Sequence, residues 1–368
     1  MDEETIVVLA IQLFALSCIA AALVVYLVCK VNRRKHTYDS EFPTLNVGTG
    51  RSVLITSCET VFGIQLALHL TSLGFRVFAG VKPISNYDDR PHDYDVDDDV
   101  NDETKSPESV KILKAKLKQR EAMSTALIGI DGEEYVIQTS NFGQLINIPL
   151  DVTREDSLHE ALENIRRHLP AGEDGLWAVV NTAGVCYKGK LEQQDSSQWE
   201  TMFKVNVFGM LRTARTFMPL LKNKKGRLIT IGTGNEYKFG GTGAVVYNAA
   251  RYAVAGASCS LDQEMSVHGV RVITIHTESI PSEKLFVMPK IPRYKDETKN
   301  APCDRYLKFS TTAVPNYAMN VIEETLLEAN PKEDYYITKP TGFTNYLSAI
   351  TEKLENIQRK KYTIERSA

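Results

Sequence analysis

A tyrosine and an arginine stand four residues apart in the stretch VVYNAARYA, at Tyr247 and Arg251. On a helix, residues with this spacing lie on one face, one turn apart. A fixed positive charge beside a phenol favours the phenolate, so the pair has the chemistry of a general acid/base. Ordinary helix surfaces carry the same spacing without any catalytic role. The meaning of the pair therefore depends on the elements that position it.

Short apolar runs alternate with helical patterns over most of the chain after residue 50. Runs such as SVLIT, FRVFAGV and LWAVVN have the length of buried strands, and DSLHEALENIRRHL has helical periodicity. Strands that alternate with helices predict a parallel sheet covered on both faces. We therefore predict an α/β, doubly wound, Rossmann-type domain over residues 51–340.

One connection is far longer than a strand–helix–strand unit requires. About 60 residues separate FRVFAGV from LINIPL, which predicts an insertion over about 83–144. Its first part, YDDRPHDYDVDDDVNDE, is a dense acidic run that is typical of a disordered, solvated loop, and a partner-docking role stays open. The stretch SPESVKILKAKLKQREAM then predicts a helix, and TALIGIDGEEYVIQ predicts a hairpin.

The amino-terminal stretch from Thr5 to Cys29 contains no charged residue and is long enough to span a bilayer. Acidic residues precede it, and a basic cluster follows it: Lys30, Arg33, Arg34 and Lys35. By the positive-inside tendency, this arrangement predicts a single-pass anchor over residues 1–35 with a cytosolic body. We expect the membrane to be that of the endoplasmic reticulum. A linker over 36–50 and a carboxy-terminal amphipathic helix and tail over 341–368 complete the predicted organisation.

Composition gives no reason to expect several common kinds of site. The net charge of −3 offers no argument for nucleic-acid binding. The six cysteines are scattered without a CxxC pair, so neither a disulfide framework nor a metal site is expected.

The stretch VLITSCETVFGIQLA joins a strand to a helix through a turn. Dinucleotide sites need glycines in such a turn, so that backbone N–H groups approach the pyrophosphate. This turn retains only Gly63, and alone it is weak evidence of a nucleotide site. Glu59 in the same turn is interpreted as a loop charge.

Further motifs follow in a fixed order. They are Asp151 in LDVT, Thr182, Ala183 and Gly184 in TAG, Asn206 in KVNVFG, and Tyr247 with Arg251 in YNAAR. Their order and spacing resemble the short-chain dehydrogenase/reductase superfamily, from Arg51 to about Ser282. The stretches GFRVFAG and WETMFKVNVFGMLRTARTFMPLL are especially similar to its membrane-anchored retinol, hydroxysteroid and hydroxybutyrate dehydrogenase-like branch.

The resemblance implies roles for particular residues. Tyr247 would transfer the proton of the reacting oxygen, and Arg251 would stand for the family's lysine. Asn206 would hold a water relay, and Thr233 would offer the hydroxyl of the family's serine, whose usual spacing falls at or next to Gly234.

The resemblance also implies a cofactor, NAD or NADP. The residues expected to bind it are Thr56, Ser57, Gly63, Asp151, Thr182, Ala183, Gly184 and Arg251. Because Lys82, and no acid, ends the second strand, NADP is slightly favoured.

Four sites depart from the family pattern. Ser57 and Val61 replace the first two glycines of the turn, and a β-branched valine hinders the approach of phosphate. Thr277-Glu278 replaces a Pro-Gly pair and brings a negative charge towards an anionic cofactor. Arg251 replaces a lysine, and arginine does not release a proton at working pH. Gly234 has no hydroxyl.

The retained residues and the departures together leave two possible functions. The first is a membrane-anchored NAD(P)-dependent oxidoreductase that acts on a lipophilic alcohol or ketone of the steroid, sterol or retinoid class. The second is a catalytically inactive pseudo-dehydrogenase that serves as a membrane-tethered binding or scaffold protein. The first is favoured, because the tyrosine, the asparagine, the positive charge and Asp151 are all retained. A homo-oligomer stays open.

Overall fold

The computed structural model describes residues 47–83, 106–130, 133–138, 143–234, 243–291 and 302–339. The predicted anchor, most of the linker, the acidic run and the carboxy-terminal helix lie outside these ranges. Among the helices in the described ranges, none is both long and apolar enough to cross a membrane.

The described chain contains nine strands. They are β1 (Ser52–Ile55), β2 (Arg76–Val81), β3 (Thr125–Ile130), β4 (Glu133–Gln138), β5 (Leu145–Pro149), β6 (Ala178–Asn181), β7 (Arg227–Gly234), β8 (Arg271–Thr277) and β9 (Asp334–Tyr336). Seven of them form one sheet in the order β5-β2-β1-β6-β7-β8-β9, and every neighbouring pair is parallel. The order reverses direction from β1, as the doubly wound prediction requires. The remaining two strands, β3 and β4, form the antiparallel hairpin expected in the insertion.

Helices cover both faces of the sheet. They are α1 (Val61–Ser72), α2 (Glu108–Ser124), α3 (Glu155–His168), α4 (Ser196–Met202), a π-helix (Phe203–Phe208), α5 (Gly209–Lys224), α6 (Val245–Ser266), α7 (Ser282–Leu285), α8 (Pro302–Lys308) and α9 (Asn316–Leu327). Residues of α1, α2 and α9 belong to one large core cluster, and residues of α3, α5 and α6 belong to the other. The catalytic candidates on α6 therefore sit on a helix fixed by a full hydrophobic face.

Helix α2 is part of this core. Its Ile112 and Leu113 are fully buried in the same cluster as α1. It follows β2 and precedes β5, and these two strands are parallel neighbours. Helix α2 therefore serves as the crossover helix that any parallel pair needs. The true insertion within residues 83–144 is therefore shorter than the sequence suggests, because α2 belongs to the ordinary crossover.

Two guanidinium groups lie over the Trp177 ring next to the amino ends of the strands. The Cζ atom of Arg51 is 4.2 Å from the ring centroid, and that of Arg227 is 4.6 Å from it. Trp177 Nε1 donates to the carbonyl of Leu326 at 2.9 Å. Burial, followed by the charge of Arg51, lowers the pKa of Arg227 to about 10. The indole thus joins β1, β7 and α9.

We expect Trp177→Ala to lower the free energy of unfolding by about 3–5 kcal/mol, because it removes a large packed ring and exposes two like charges to each other. Trp177→Phe keeps an aromatic face and loses one hydrogen bond, so its cost is about 1–2 kcal/mol. Denaturant unfolding of the full chain in detergent measures both. Equal midpoints for wild type and Trp177→Ala would contradict the role of the indole.

Candidate active site

Tyr247 and Arg251 lie together on the buried face of α6. Tyr247 is 1% exposed and Arg251 is 3% exposed. Arg251 Nε donates to Tyr247 Oη at 3.0 Å, and Nη1 donates to the carbonyl of Ile231 in β7 at 2.9 Å. The spacing of four residues therefore produces the predicted contact. The phenol oxygen therefore has a fixed guanidinium group as its hydrogen-bond donor.

Three buried polar atoms near the carboxyl ends of the strands have no hydrogen-bond partner among the described residues. They are Arg251 Nη2, Thr182 Oγ1 just after β6, and Thr277 Oγ1 at the end of β8. Buried polar groups in native structures are nearly always paired, so each such atom needs an explanation. A polar ligand at this edge would supply the missing partners. The ribose and carboxamide of a nicotinamide nucleotide have the required donors and acceptors, so these residues fit such a group.

Thr56 joins the ends of β1 and β6. Its hydroxyl donates to Asn181 Oδ1 at 3.0 Å and accepts from the backbone N–H groups of Thr182 and Ala183, each at 3.1 Å. These bonds hold the TAG loop against the β1–α1 turn. The side chain of Thr56 thus has a positioning role in the loops where a cofactor is expected.

The single retained glycine of the turn is required by a close approach. A Cβ atom on Gly63 would lie 1.9 Å from the carbonyl oxygen of Ser57. The Gly63 N–H donates to Thr60 Oγ1 at 3.0 Å, which caps the amino end of α1. Gly63 therefore fixes how α1 meets the turn.

Glu59 is more than the loop charge that the sequence suggested. Its Oε1 accepts from Ser57 Oγ at 2.8 Å, and its Oε2 accepts from the backbone N–H of Lys82 at 3.4 Å. Burial is the main cause that raises the pKa of Glu59 to about 6. The carboxylate is thus held at the carboxyl end of β2.

Asn206 lies in the π-helix and bridges to the chain after β6. Its Oδ1 accepts from the Val185 N–H at 2.8 Å, and its Nδ2 donates to the Val185 carbonyl at 2.9 Å. Both ends of the amide are therefore engaged with one backbone residue. This geometry makes Asn206 a structural bridge, and its expected role in a water relay stays a prediction.

The other predicted site residues lie at the same edge of the sheet. Asp151 follows β5, and its Oδ1 accepts from both the N–H and the hydroxyl of Thr153, at 2.8 and 2.7 Å. This carboxylate stabilises the turn into α3, and its expected contact with adenine stays a prediction. Thr233 lies near the end of β7, after a register shift that begins at Ile231. Its side chain is outside the described part of the structure.

Residues 280–288, which we call the strap, cover this edge. The Val61 N–H in the first turn of α1 donates to the carbonyl of Val287 at 2.8 Å. The ring of Phe286 lies so close to Gly184 that a Cβ there would be 2.5 Å from it. The Cζ atom of Arg251 is 5.2 Å from the same ring. The strap therefore contacts the amino end of α1, the TAG loop and the Tyr247–Arg251 pair together.

An apolar cluster surrounds the phenol. Tyr247 packs with buried side chains and with partly buried ones: Met202, Val246, Val185, Cys186, Trp199, Phe203 and Phe286. The reactive candidate thus lies in apolar surroundings contributed by α4, the π-helix, α6 and the strap.

Comparisons with known proteins find similar dehydrogenases. The family model described as short chain dehydrogenase matches residues 115–284, a range that includes Asn206, Tyr247 and Arg251. The mitochondrial D-beta-hydroxybutyrate dehydrogenase of Rattus norvegicus is 24% identical over 347 residues, 87% of each chain. These similarities support a member of the short-chain dehydrogenase/reductase superfamily.

Among the relatives found, those of the hydroxysteroid and hydroxybutyrate dehydrogenase branch are similar to this chain. Estradiol 17-beta-dehydrogenase 2 of Rattus norvegicus is 27% identical over 230 residues, which cover 61% of this chain and 47% of that protein. A metagenomic short-chain oxidoreductase in complex with NADP has the same fold, with a TM-score of 0.51 and 15% identity over 79% of this chain and 98% of that one. A short-chain dehydrogenase from Streptomyces avermitilis also has a TM-score of 0.51 and 15% identity, over 86% and 98%. The named relatives are dehydrogenases, which supports an oxidoreductase, and the family that the model describes uses NAD(P).

Sequence analysis missed the roles of two residues at this site, Glu59 and Phe286. Glu59 was set aside because no partner is near it along the chain, although Lys82 at the end of β2 gave a signal. Phe286 lies in the apolar run LFVM, a few residues after the unusual Thr277-Glu278 pair. A departure from the family pattern followed by an apolar run could have identified the strap.

Proposed function

We propose that the chain is a membrane-anchored NAD(P)-dependent oxidoreductase that interconverts a lipophilic alcohol and the corresponding ketone. The observation that carries this proposal is the buried contact of 3.0 Å between Arg251 Nε and Tyr247 Oη. Beside it, Arg251 Nη2 has no hydrogen-bond partner among the described residues, so a donor is available for a ligand.

In the oxidative direction, the Tyr247 phenolate takes the hydroxyl proton as the carbinol carbon loses a hydride and becomes a carbonyl. In the reductive direction, Tyr247 Oη returns that proton to the carbonyl oxygen. The chemistry that a nicotinamide cofactor would supply, when bound, is to accept or donate this hydride. Arg251 acts as a fixed charge that stabilises the phenolate, since a guanidinium does not release its proton at working pH. Thr233 is our candidate for the hydroxyl that orients the substrate oxygen.

Residues at the carboxyl edge would hold the cofactor. Thr182, Thr277 and Arg251 have buried polar atoms that lack partners in the described structure. The wider proposed set is Thr56, Ser57, Gly63, Asp151, Thr182, Ala183, Gly184 and Arg251. Because the Val287 carbonyl accepts from the first turn of α1, we propose that the strap opens when the cofactor binds.

The substrate that we propose is a steroid, sterol or retinoid alcohol or ketone. The apolar cluster around Tyr247 supports an apolar ligand. A short hydroxy acid such as hydroxybutyrate needs a cation for its carboxylate; Lys188 on this side is paired with Glu283 at 2.6 Å, and Arg251 is assigned to Tyr247 and the cofactor. One named relative is a dehydrogenase of a short hydroxy acid and the other of a steroid. The apolar surroundings of Tyr247 favour a steroid-like substrate over a hydroxy acid.

The membrane anchor over residues 1–35 and the endoplasmic reticulum remain part of the proposal. An apolar substrate partitions into the bilayer, so a tethered active site encounters it more often. A homo-oligomer is also proposed, and the exposed apolar side chains of Phe208, Leu211 and Tyr252 support it.

Calorimetric titration of the full chain in detergent with NADH and NADPH tests the proposal. We expect micromolar binding of at least one cofactor, followed by turnover of a steroid or retinoid and not of 3-hydroxybutyrate. Turnover of 3-hydroxybutyrate alone would overturn the substrate class. A folded protein that binds neither cofactor would overturn the activity and favour a scaffold role.

A further inference from the structure

The β1–α1 turn brings a carboxylate to the end of a different strand. The Cys58 N–H donates to the carbonyl of Gly80 at 2.7 Å, which holds the turn against β2. Glu59 then accepts from the Lys82 N–H at 3.4 Å and from Ser57 Oγ at 2.8 Å. Two polar groups on two elements therefore fix where this carboxylate lies.

The end of the second strand is where dinucleotide folds recognise the adenosine ribose. An acid there accepts a hydrogen bond from the ribose 2′-hydroxyl of NAD, and a cation there suits the 2′-phosphate of NADP. In this chain β2 ends at Val81 and is followed by Lys82, so the strand itself supplies no acid. The β1–α1 turn supplies an acid, Glu59, at the same place.

We propose that Glu59 takes the part of the missing strand-end acid and makes the enzyme select NAD(H) over NADP(H). The inference rests on the proposed function, since it concerns the cofactor of that same site. It also opposes the lean towards NADP that Lys82 alone suggests.

The physical basis of the selection is charge. A carboxylate can accept from a ribose hydroxyl, whereas a 2′-phosphate adds nearly two negative charges beside it. Lys82 offsets part of this repulsion, but its side chain is exposed, and solvent screens an exposed charge more than a half-buried one. The Glu59 carboxylate, more than the Lys82 ammonium, therefore decides which of the two cofactors binds more tightly.

The test measures the dissociation constants of NADH and NADPH at pH 8, where Glu59 is ionised, for the full chain in detergent. We expect wild type to bind NADH at least about tenfold more tightly than NADPH, as the gain or loss of one charged hydrogen bond implies. Glu59→Gln keeps the shape of the side chain and removes its charge. In this variant, the ratio of the NADPH dissociation constant to the NADH dissociation constant should fall by about tenfold or more.

Lys82→Gln is the matched control from the same contact. We expect it to weaken NADPH binding further and to leave NADH binding within about twofold. Equal or tighter binding of NADPH by wild type overturns the inference even if Glu59→Gln fails to fold, because the ratio needs no variant. An unchanged ratio in a folded Glu59→Gln protein also overturns it. Failure of wild type to bind either cofactor is a different result, which counts against the proposed function.

Discussion

Tyr247→Phe is expected to slow turnover by about 100- to 10,000-fold and to leave cofactor binding nearly unchanged, because it removes only the proton-transferring oxygen. The ring stays in the same apolar cluster, so the packing around it is retained. Arg251 Nε loses its acceptor, which should lower the free energy of unfolding by about 1–3 kcal/mol. Initial rates with the best substrate, together with calorimetric cofactor binding, measure both effects.

The same helix offers a matched control. Tyr252 lies five residues further along α6 and is 51% exposed. Tyr252→Phe makes the same chemical change outside the buried cluster, so we expect a rate within about twofold of wild type. If Tyr247→Phe and Tyr252→Phe both retain full activity, Tyr247 is not the general acid/base.

Phe286→Ala is expected to tighten cofactor binding by about tenfold. The ring packs against Gly184 and lies over the Arg251 guanidinium, so it stabilises the closed strap. Removing a half-buried phenyl ring destabilises the closed strap by about 1–2 kcal/mol. A larger fraction of the protein then has an open strap, so the apparent affinity for the cofactor rises. Stopped-flow titration with NADH should show the gain mainly in the association rate.

Val287→Ala separates this effect from a general loosening of the loop. The Val287 side chain is 45% exposed, and only its carbonyl bonds to α1. We therefore expect cofactor affinity within about twofold of wild type. Weaker binding in Phe286→Ala would show instead that the ring contributes to the bound state.

Local patterns in the sequence predict the elements of the sheet well. The strand SVLIT and the helix around Tyr247 are found where periodicity places them, because burial repeats along each element. The contact between Tyr247 and Arg251 is also local, since helical geometry alone brings the fourth residue onto the same face. The order of the strands came from the structure, because periodicity does not say which strands are neighbours.

The missed features all depend on contacts between distant parts of the chain. The residues next to Glu59 in the sequence do not indicate that the end of β2 will lie beside it, and the only signal, Lys82 in place of an acid, is 23 residues away. Phe286 and Gly184 meet only because the strap folds back across the sheet edge. Helix α2 had the appearance of an inserted element, yet the burial of Ile112 and Leu113 makes it a core helix. Long-range packing, which a single sequence does not encode locally, decides these cases.

A ligand that blocks a site normally leaves when the protein is diluted. The strap is covalently part of the chain, so its effective concentration at α1 and Gly184 is the same in a cell and in a dilute assay. It should therefore multiply the apparent dissociation constants of NADH and NADPH by one common factor. The choice between the two cofactors is unaffected, while the cofactor level at which half of the enzyme is loaded moves upward. Through the strap, the chain would become responsive to changes in cofactor supply over a range in which an open site is already saturated.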